Sequence, residues 1–325
     1  MTAQWGLLST AHINDQFLAG LAQARESDVL AVASRDGARA ERYAAERGIG
    51  RAYDSYEALL ADPDIDAVYI SLPNSLHLEW TRRALEAGKH VLCEKPLSRR
   101  AADVDAAFDL AERHGRLLME AFMYRHHPQT VRLAELARSG AIGRLRLVRA
   151  SFSFPATDPS DVRLSAHLDG GSLMDVGCYC VSAARLLAGE PELVSGAQVI
   201  GGDGVDVTFT GWMRFPGDML AHFDSGLVLD DRFDLEVVGE EGTLYVADPW
   251  HCRTPRIELR RDQAIELIEV PSANAYGLEA DNLAAAIRGA EPPLLDRADA
   301  VGQARTIEAL YASAESGRPV APPGA

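Results

Sequence analysis

The chain has 325 residues, enough for two domains. It is 47% hydrophobic and 25% charged, the profile of a soluble globular protein. Its formal net charge of −16 weighs against a general nucleic-acid binder but leaves room for a local basic pocket around an anionic cofactor.

The first third alternates short apolar runs with amphipathic stretches. Strands are predicted at 5–8, 29–33, 67–70, 90–93 and 117–120, and helices at 14–24, 38–47, 76–87 and 102–113. Gly48 and Gly88 close two of these helices. Such alternation predicts an α/β domain with a doubly wound parallel sheet, helices on both faces and right-handed crossovers. After about residue 122 the pattern changes. A helix at 130–139 precedes strands at 145–154, 205–215, 219–225, 233–238, 242–246 and 256–260, several alternating apolar and polar residues as half-buried antiparallel strands do. A helix is expected at 175–187, and two more at 277–288 and 297–315. The expected division is a cofactor domain over 1–121 and a substrate-binding and oligomerisation domain over 122–325. No run approaches a membrane span, and the N-terminus lacks the basic-then-apolar pattern of a signal peptide. Cys93, Cys178, Cys180 and Cys252 form no CxxC pair, and their apolar neighbours favour core packing over redox chemistry or metal. The cytoplasm is the compartment expected.

Between the first strand and helix, a dinucleotide fold carries its phosphate loop. The glycines of G-x-G-x-x-G are missing here; Ser9, Ala11 and Asn14 hold their positions. Small residues still let backbone approach a pyrophosphate, hydroxyls of Ser9 and Thr10 add donors, and the helix start supplies a favourable dipole. Ser9, Thr10, Ala11, His12 and Ile13 are therefore candidate cofactor residues. The second strand ends Ser34-Arg35-Asp36, with Arg39 one turn on. A hydroxyl and guanidinium groups at this tip suit a 2′-phosphate, which favours NADP over NAD; Asp36 is the counterargument. Leu72, Pro73, Asn74 and His77 follow the third strand, at the sheet edge where ligands bind in such folds. Asn74 equally suits a helix cap.

The fourth strand ends at Glu94-Lys95-Pro96, and Asp175 and Tyr179 lie four residues apart downstream. A lysine, a carboxylate and a phenol acting together make a proton-transfer set of the kind hydride exchange with a carbonyl requires. A phenol titrates near pH 10, and an ammonium beside it favours the phenolate. On their own, Asp175 reads equally as a helix cap and Tyr179 as a core aromatic.

Together the motifs Pro73-Asn74-x-x-His77, Glu94-Lys95-Pro96, the 120–125 segment ending Tyr124-Arg125, and Asp175-x-Gly177-x-Tyr179 carry a family resemblance over nearly the whole chain. The sequence resembles the Gfo/Idh/MocA oxidoreductases, in particular the branch of glucose–fructose oxidoreductases, D-xylose dehydrogenases and dimeric dihydrodiol dehydrogenases. The resemblance implies a Rossmann domain followed by an α+β domain with a large, mostly antiparallel open sheet, often a dimer face, so a homodimer or homotetramer through that sheet is expected. It implies that Lys95 contacts the reacting hydroxyl or carbonyl, Glu94 lies near the nicotinamide ribose, and Pro96 is cis. Asp175 would orient the substrate and Tyr179 exchange the proton. Tyr124, Arg125 and Phe154 are taken as further substrate-binding residues, with Phe122 and Phe152 leaving room for an apolar cleft. His126 and His127 suit a cleft wall better than a metal. Arg163, His167 and the 250–251 loop are weaker candidates. The expected substrate is a sugar or polyol, with a trans-dihydrodiol, a keto-sugar or a non-catalytic sensor role as alternatives. The phosphate loop departs most from the family pattern.

Overall fold

A computed structural model describes residues 2–324. The chain forms two compact units. The first comprises 1–98, 102–123 and 274–301; the second comprises 99–101, 124–273 and 302–325. The chain passes to the second unit after residue 123, and the segment 274–301 returns to the first.

In the first unit, strands β1 (Ala3–Leu8), β2 (Ser27–Ala33), β3 (Arg51–Tyr53), β4 (Ala67–Ile70), β5 (His90–Glu94) and β6 (Leu118–Ala121) form one parallel sheet in the order β3-β2-β1-β4-β5-β6. This is the strand order of a doubly wound dinucleotide fold, with its reversal between β1 and β4. Trp5, Leu7, Leu8 and all of β4 are buried, as strands covered on both faces must be. The connecting helices are α1 (Ile13–Leu21), α2 (Gly37–Arg47), α3 (Tyr56–Leu60), α4 (His77–Glu86) and α5 (Ala101–Arg113). Ser55 caps α3 by accepting from the Ala58 amide, worth about 1 kcal/mol. Short elements such as β3 and α3 offer too few residues for a period to show in sequence.

The returning segment contributes α8 (Ala275–Ile287), capped by Asn274, which packs on α1. The two helices touch backbone to backbone: a Cβ on Gly20 would lie 2.5 Å from the Gly277 nitrogen. Asp281 accepts from the Arg25 and Glu26 amides, fixing the loop after α1.

The second unit opens with α6 (Pro128–Arg138) and is built on an eight-stranded sheet. Its strands are β7 (Leu145–Ser153), β8 (Leu193–Ile200), β9 (Asp206–Phe215), β10 (Met219–Gly226), β11 (Arg232–Gly239), β12 (Thr243–Val246), β13 (Arg256–Arg261) and β14 (Ala264–Glu269). The order is β14-β13-β12-β11-β7-β10-β9-β8, antiparallel except where β7 and β10 run parallel. Two strands were not anticipated: β8 carries an interior glycine, and β14 is an exposed edge whose charged residues mask its period. On one face of the sheet lie α7 (Cys178–Ala188) and the end of α9 (Arg297–Ser316), with Phe209, Phe223 and Tyr311 in the core. The opposite face leaves Val199, Trp212, Leu220, Ile265 and Leu267 exposed. All four cysteines are buried and none forms a disulfide. Among the described residues no helix is long and apolar enough to cross a membrane.

Candidate active site

The phosphate-loop position of the first unit is shaped by Ser9, which adopts φ 133° where the usual motif has a glycine. Its hydroxyl is buried: it meets Ser71 Oγ at 2.8 Å and accepts from the Ala11 amide. Asn14 is fully buried and donates to the Ser9 carbonyl while accepting from Ser71. The Ser9 hydroxyl therefore braces the loop from inside, a correction to its expected part as an outward donor. Thr10, Ala11 and His12 line a surface cleft of about 220 Å³ with Arg39, and Ile13 starts α1.

The same cleft holds residues that the sequence reading missed: Asp15, Arg42, Tyr43, Glu46 and Arg47. Arg47 pairs with Asp15 at 2.7 Å and Glu46 at 3.1 Å and stacks over Tyr43. Beside its guanidinium, the Asp15 carboxyl is held below its ordinary range. Arg39 donates to the Thr10 carbonyl at 3.4 Å. Neither Arg39 nor Arg42 has a carboxylate partner among the described residues. Asp36, the counterargument in sequence, accepts from the Arg39 amide as the cap of α2. Ser34 is buried and accepts from the Asp36 amide, while Arg35 is exposed and interacts with Tyr56. Arg39 and Arg42 thus face the cleft without a carboxylate partner among the described residues, and the Asp36 carboxylate is turned to the helix.

Along the sheet edge, His77 is buried between two main-chain carbonyls, Nε2 2.8 Å from Leu72 O and Nδ1 2.9 Å from Pro96 O. It ties the loop Leu72-Pro73-Asn74 to the loop after β5. Asn74 opens a short 3-10 turn before α4. Glu94 accepts from the Tyr69 hydroxyl, and the Lys95–Pro96 peptide is cis. Lys95 is partly exposed. Two further residues missed in sequence, Tyr276 and Glu279 of α8, interact electrostatically with Glu94. Glu279 is fully buried, and burial pushes its carboxyl well above the ordinary range, with the Glu94 charge adding to the effect.

In the second unit the expected helix at 175 begins earlier and differently. Residues Leu173–Gly177 form a π-helical turn, continued by α7. Asp175 sits in that turn and Tyr179 at the first turn of α7. Such wide turns are frequent at functional sites. Asp206 holds the start of the turn: it accepts from the Leu173 amide at 2.7 Å, Ser172 Oγ at 2.8 Å and the Tyr311 hydroxyl at 2.8 Å. Burial pushes the Asp206 carboxyl up, against these three donors. Asp175 accepts from Arg163 Nε at 2.8 Å.

Tyr179 is surrounded by aromatics: Tyr124, Phe152 and Trp250, with ring centroids at 5.6, 5.3 and 5.9 Å. Trp250 donates to the Ser151 carbonyl and is fully buried. Tyr124 and Arg125 are buried too, and both donate to Ser182 Oγ of α7. They support α7 behind Tyr179. Phe154 lies under the Arg163 guanidinium, 5.6 Å from ring centroid to Cζ. His127 caps α6 through Nδ1, and burial pushes His126 down to about 3. The 250–251 loop, a weaker candidate in sequence, places Trp250 beside Tyr179, a proximity that only long-range pairing creates.

Residues 5–122 match the profile of a family described as an oxidoreductase family with an NAD-binding Rossmann fold, and 130–245 match the GFO/IDH/MocA C-terminal domain. A D-xylose 1-dehydrogenase (NADP(+)) 2 of Haloferax volcanii is 41% identical over 97% of this chain and 98% of its own. A trans-1,2-dihydrobenzene-1,2-diol dehydrogenase of Danio rerio is 34% identical over 78% of this chain and 77% of its own. The solved structure of a 3-ketoreductase from Actinomadura kijaniata, in complex with NADP and TDP-benzene, has a TM-score of 0.90 at 32% identity, covering 96% of this chain and 98% of that one.

Proposed function

This chain belongs to the GFO/IDH/MocA oxidoreductase family and is an NAD(P)-dependent dehydrogenase or reductase; on that premise we propose that it uses NADP and acts on the CH–OH or C=O group of a sugar of the aldose kind, D-xylose being the model substrate. The observation that carries the reading is the carboxylate of Asp175 on a π-helical turn that Asp206 anchors, followed four residues on by the phenol of Tyr179 in the first turn of α7. The NADP preference is supported by Arg39 and Arg42 of α2, which line the cleft beside the phosphate-loop position, with Asp36 turned into a cap.

The cofactor would be held by Ser9 to Ile13, Ser34, Arg35, Arg39, Leu72 to Asn74, Glu94 and Pro96, with His77 holding two of these loops together. When bound, the nicotinamide gives or takes up the hydride. Tyr179 exchanges the proton of the reacting oxygen, Lys95 polarises that oxygen, and Asp175 accepts from a neighbouring sugar hydroxyl. Phe154 and the aromatic surround of Tyr179 favour a second reading, a trans-dihydrodiol as substrate. We place the enzyme in the cytoplasm, a reading supported by four buried cysteines that form no disulfide.

The test is initial rates with NADP, and NAD in parallel, across aldopentoses, aldohexoses, inositols, a 3-keto-sugar and a trans-dihydrodiol. An aldose rate that prefers NADP is expected, without any partner protein. A rate with the diol alone moves the assignment to the second reading; no rate alongside tight NADP binding favours a sensor. Lys95→Met is expected to keep NADP binding and lose roughly 10²–10⁴-fold in turnover; unchanged turnover would sink the mechanism.

A further inference from the structure

Residues 154–172, between β7 and the π-helical turn, are a long connection, and its two ends are joined through Arg163. The main chain of Arg163 lies on the turn that carries Asp175: its carbonyl accepts from the Gly171 amide at 2.9 Å, and the Gly171 carbonyl accepts from the Asp175 amide at 2.9 Å. Only glycine permits this approach. A Cβ on Gly170 would stand 2.3 Å from the Arg163 carbonyl oxygen, and one on Gly171, at φ 120°, would stand 2.2 Å from Asp206 Oδ1. The side chain closes the ring. Arg163 Nε donates to Asp175 Oδ2 at 2.8 Å, while Nη1 donates to both Asp161 oxygens at 3.2 Å and the guanidinium covers the Phe154 ring.

A carboxylate that orients a sugar must itself be held in orientation, and a charge-assisted hydrogen bond from a rigid guanidinium does this better than water can. The Asp161 anchor and the Phe154 stack fix the guanidinium in turn. We infer that Arg163 is a positioning residue for substrate binding: it holds the Asp175 carboxylate and pins the 154–171 connection to it as one latch. The inference rests on the reading of Asp175 given under Proposed function. Because Arg163 acts through Asp175, which is read as a sugar-orienting group, the effect is expected on the sugar rather than on NADP.

The test compares Arg163→Gln, Arg163→Lys, Asp175→Asn and the Arg163→Gln/Asp175→Asn double variant, using the sugar turned over fastest by the wild type. Arg163→Gln is expected to raise KM for the sugar roughly tenfold or more with a smaller change in kcat and none in KM for NADP, and Arg163→Lys to recover part of it. On the Asp175→Asn background the same substitution is expected to add nothing. Independently of turnover, hydrogen exchange in peptides covering 161–175 is expected to quicken in Arg163→Gln. Unchanged exchange there, or an equal KM rise with and without Asp175, overturns the inference while a large loss in Asp175→Asn leaves the reading of Asp175 standing. Undiminished kcat/KM in Asp175→Asn overturns that reading, and the inference with it.

Discussion

At the tip of β2 the outcome turns on where one carboxylate points. Asp36 follows Ser34 closely enough to serve a ribose hydroxyl, yet its side chain accepts from the Arg39 amide and caps α2. That leaves Arg39 and Arg42 facing the cleft without a carboxylate of their own, while Arg47 is neutralised by Asp15. The Arg39→Ala/Arg42→Ala double variant is therefore expected to raise KM for NADP by roughly 10–100-fold, a loss of about 1.4–2.7 kcal/mol, and to leave KM for NAD nearly unchanged. Equal losses for both cofactors would remove these arginines from 2′-phosphate recognition. Sequence identified Arg35 and Arg39 because a strand tip is a local feature. It missed Arg42 because that residue comes to the cleft only through the turn of α2, and it misjudged the Ser9 hydroxyl because its partner, Ser71, lies at the end of another strand.

Among the elements, the π-helical turn at 173–177 shows how a local geometry is imposed from outside its own sequence. Nothing in the local residues specifies a wide first turn. Asp206, at the start of β9, accepts from Ser172, the Leu173 amide and Tyr311, and so sets where the turn begins. Asp206→Ala would strand these buried donors and is expected to cost about 3 kcal/mol, read as a lower denaturant midpoint, with turnover falling as Asp175 loses its register. Full stability in that variant would show that the turn forms without it. The expected helix from 175 to 187 captured the regular part, α7, because its apolar spacing is local; the winding of its entry depends on a residue some thirty positions away and was not legible.

For the molecule as a whole, the alternation of strand and helix revealed the parallel sheet, and the alternation of apolar and polar residues revealed most of the antiparallel one. Edge strands β3, β8 and β14 escaped because edges bury little and need little pattern. The large sheet has one face under α7 and α9, and its other face exposes Val199, Trp212, Leu220, Ile265 and Leu267. We propose that this outer face joins two copies of the chain. Sedimentation of the wild type should give a dimer or tetramer, and Trp212→Glu with Leu220→Glu should give a folded, smaller species; a monomeric wild type would dismiss the proposal. The return of 274–301 has a different consequence, one of timing. Helix α8 lies on α1 with glycine against glycine, yet it is synthesised after nearly all of the second unit. A nascent chain therefore emerges with the cofactor half lacking its closing helix, so a chain truncated before Asn274 is expected to bind NADP poorly or not at all, which titration of the truncated protein would show.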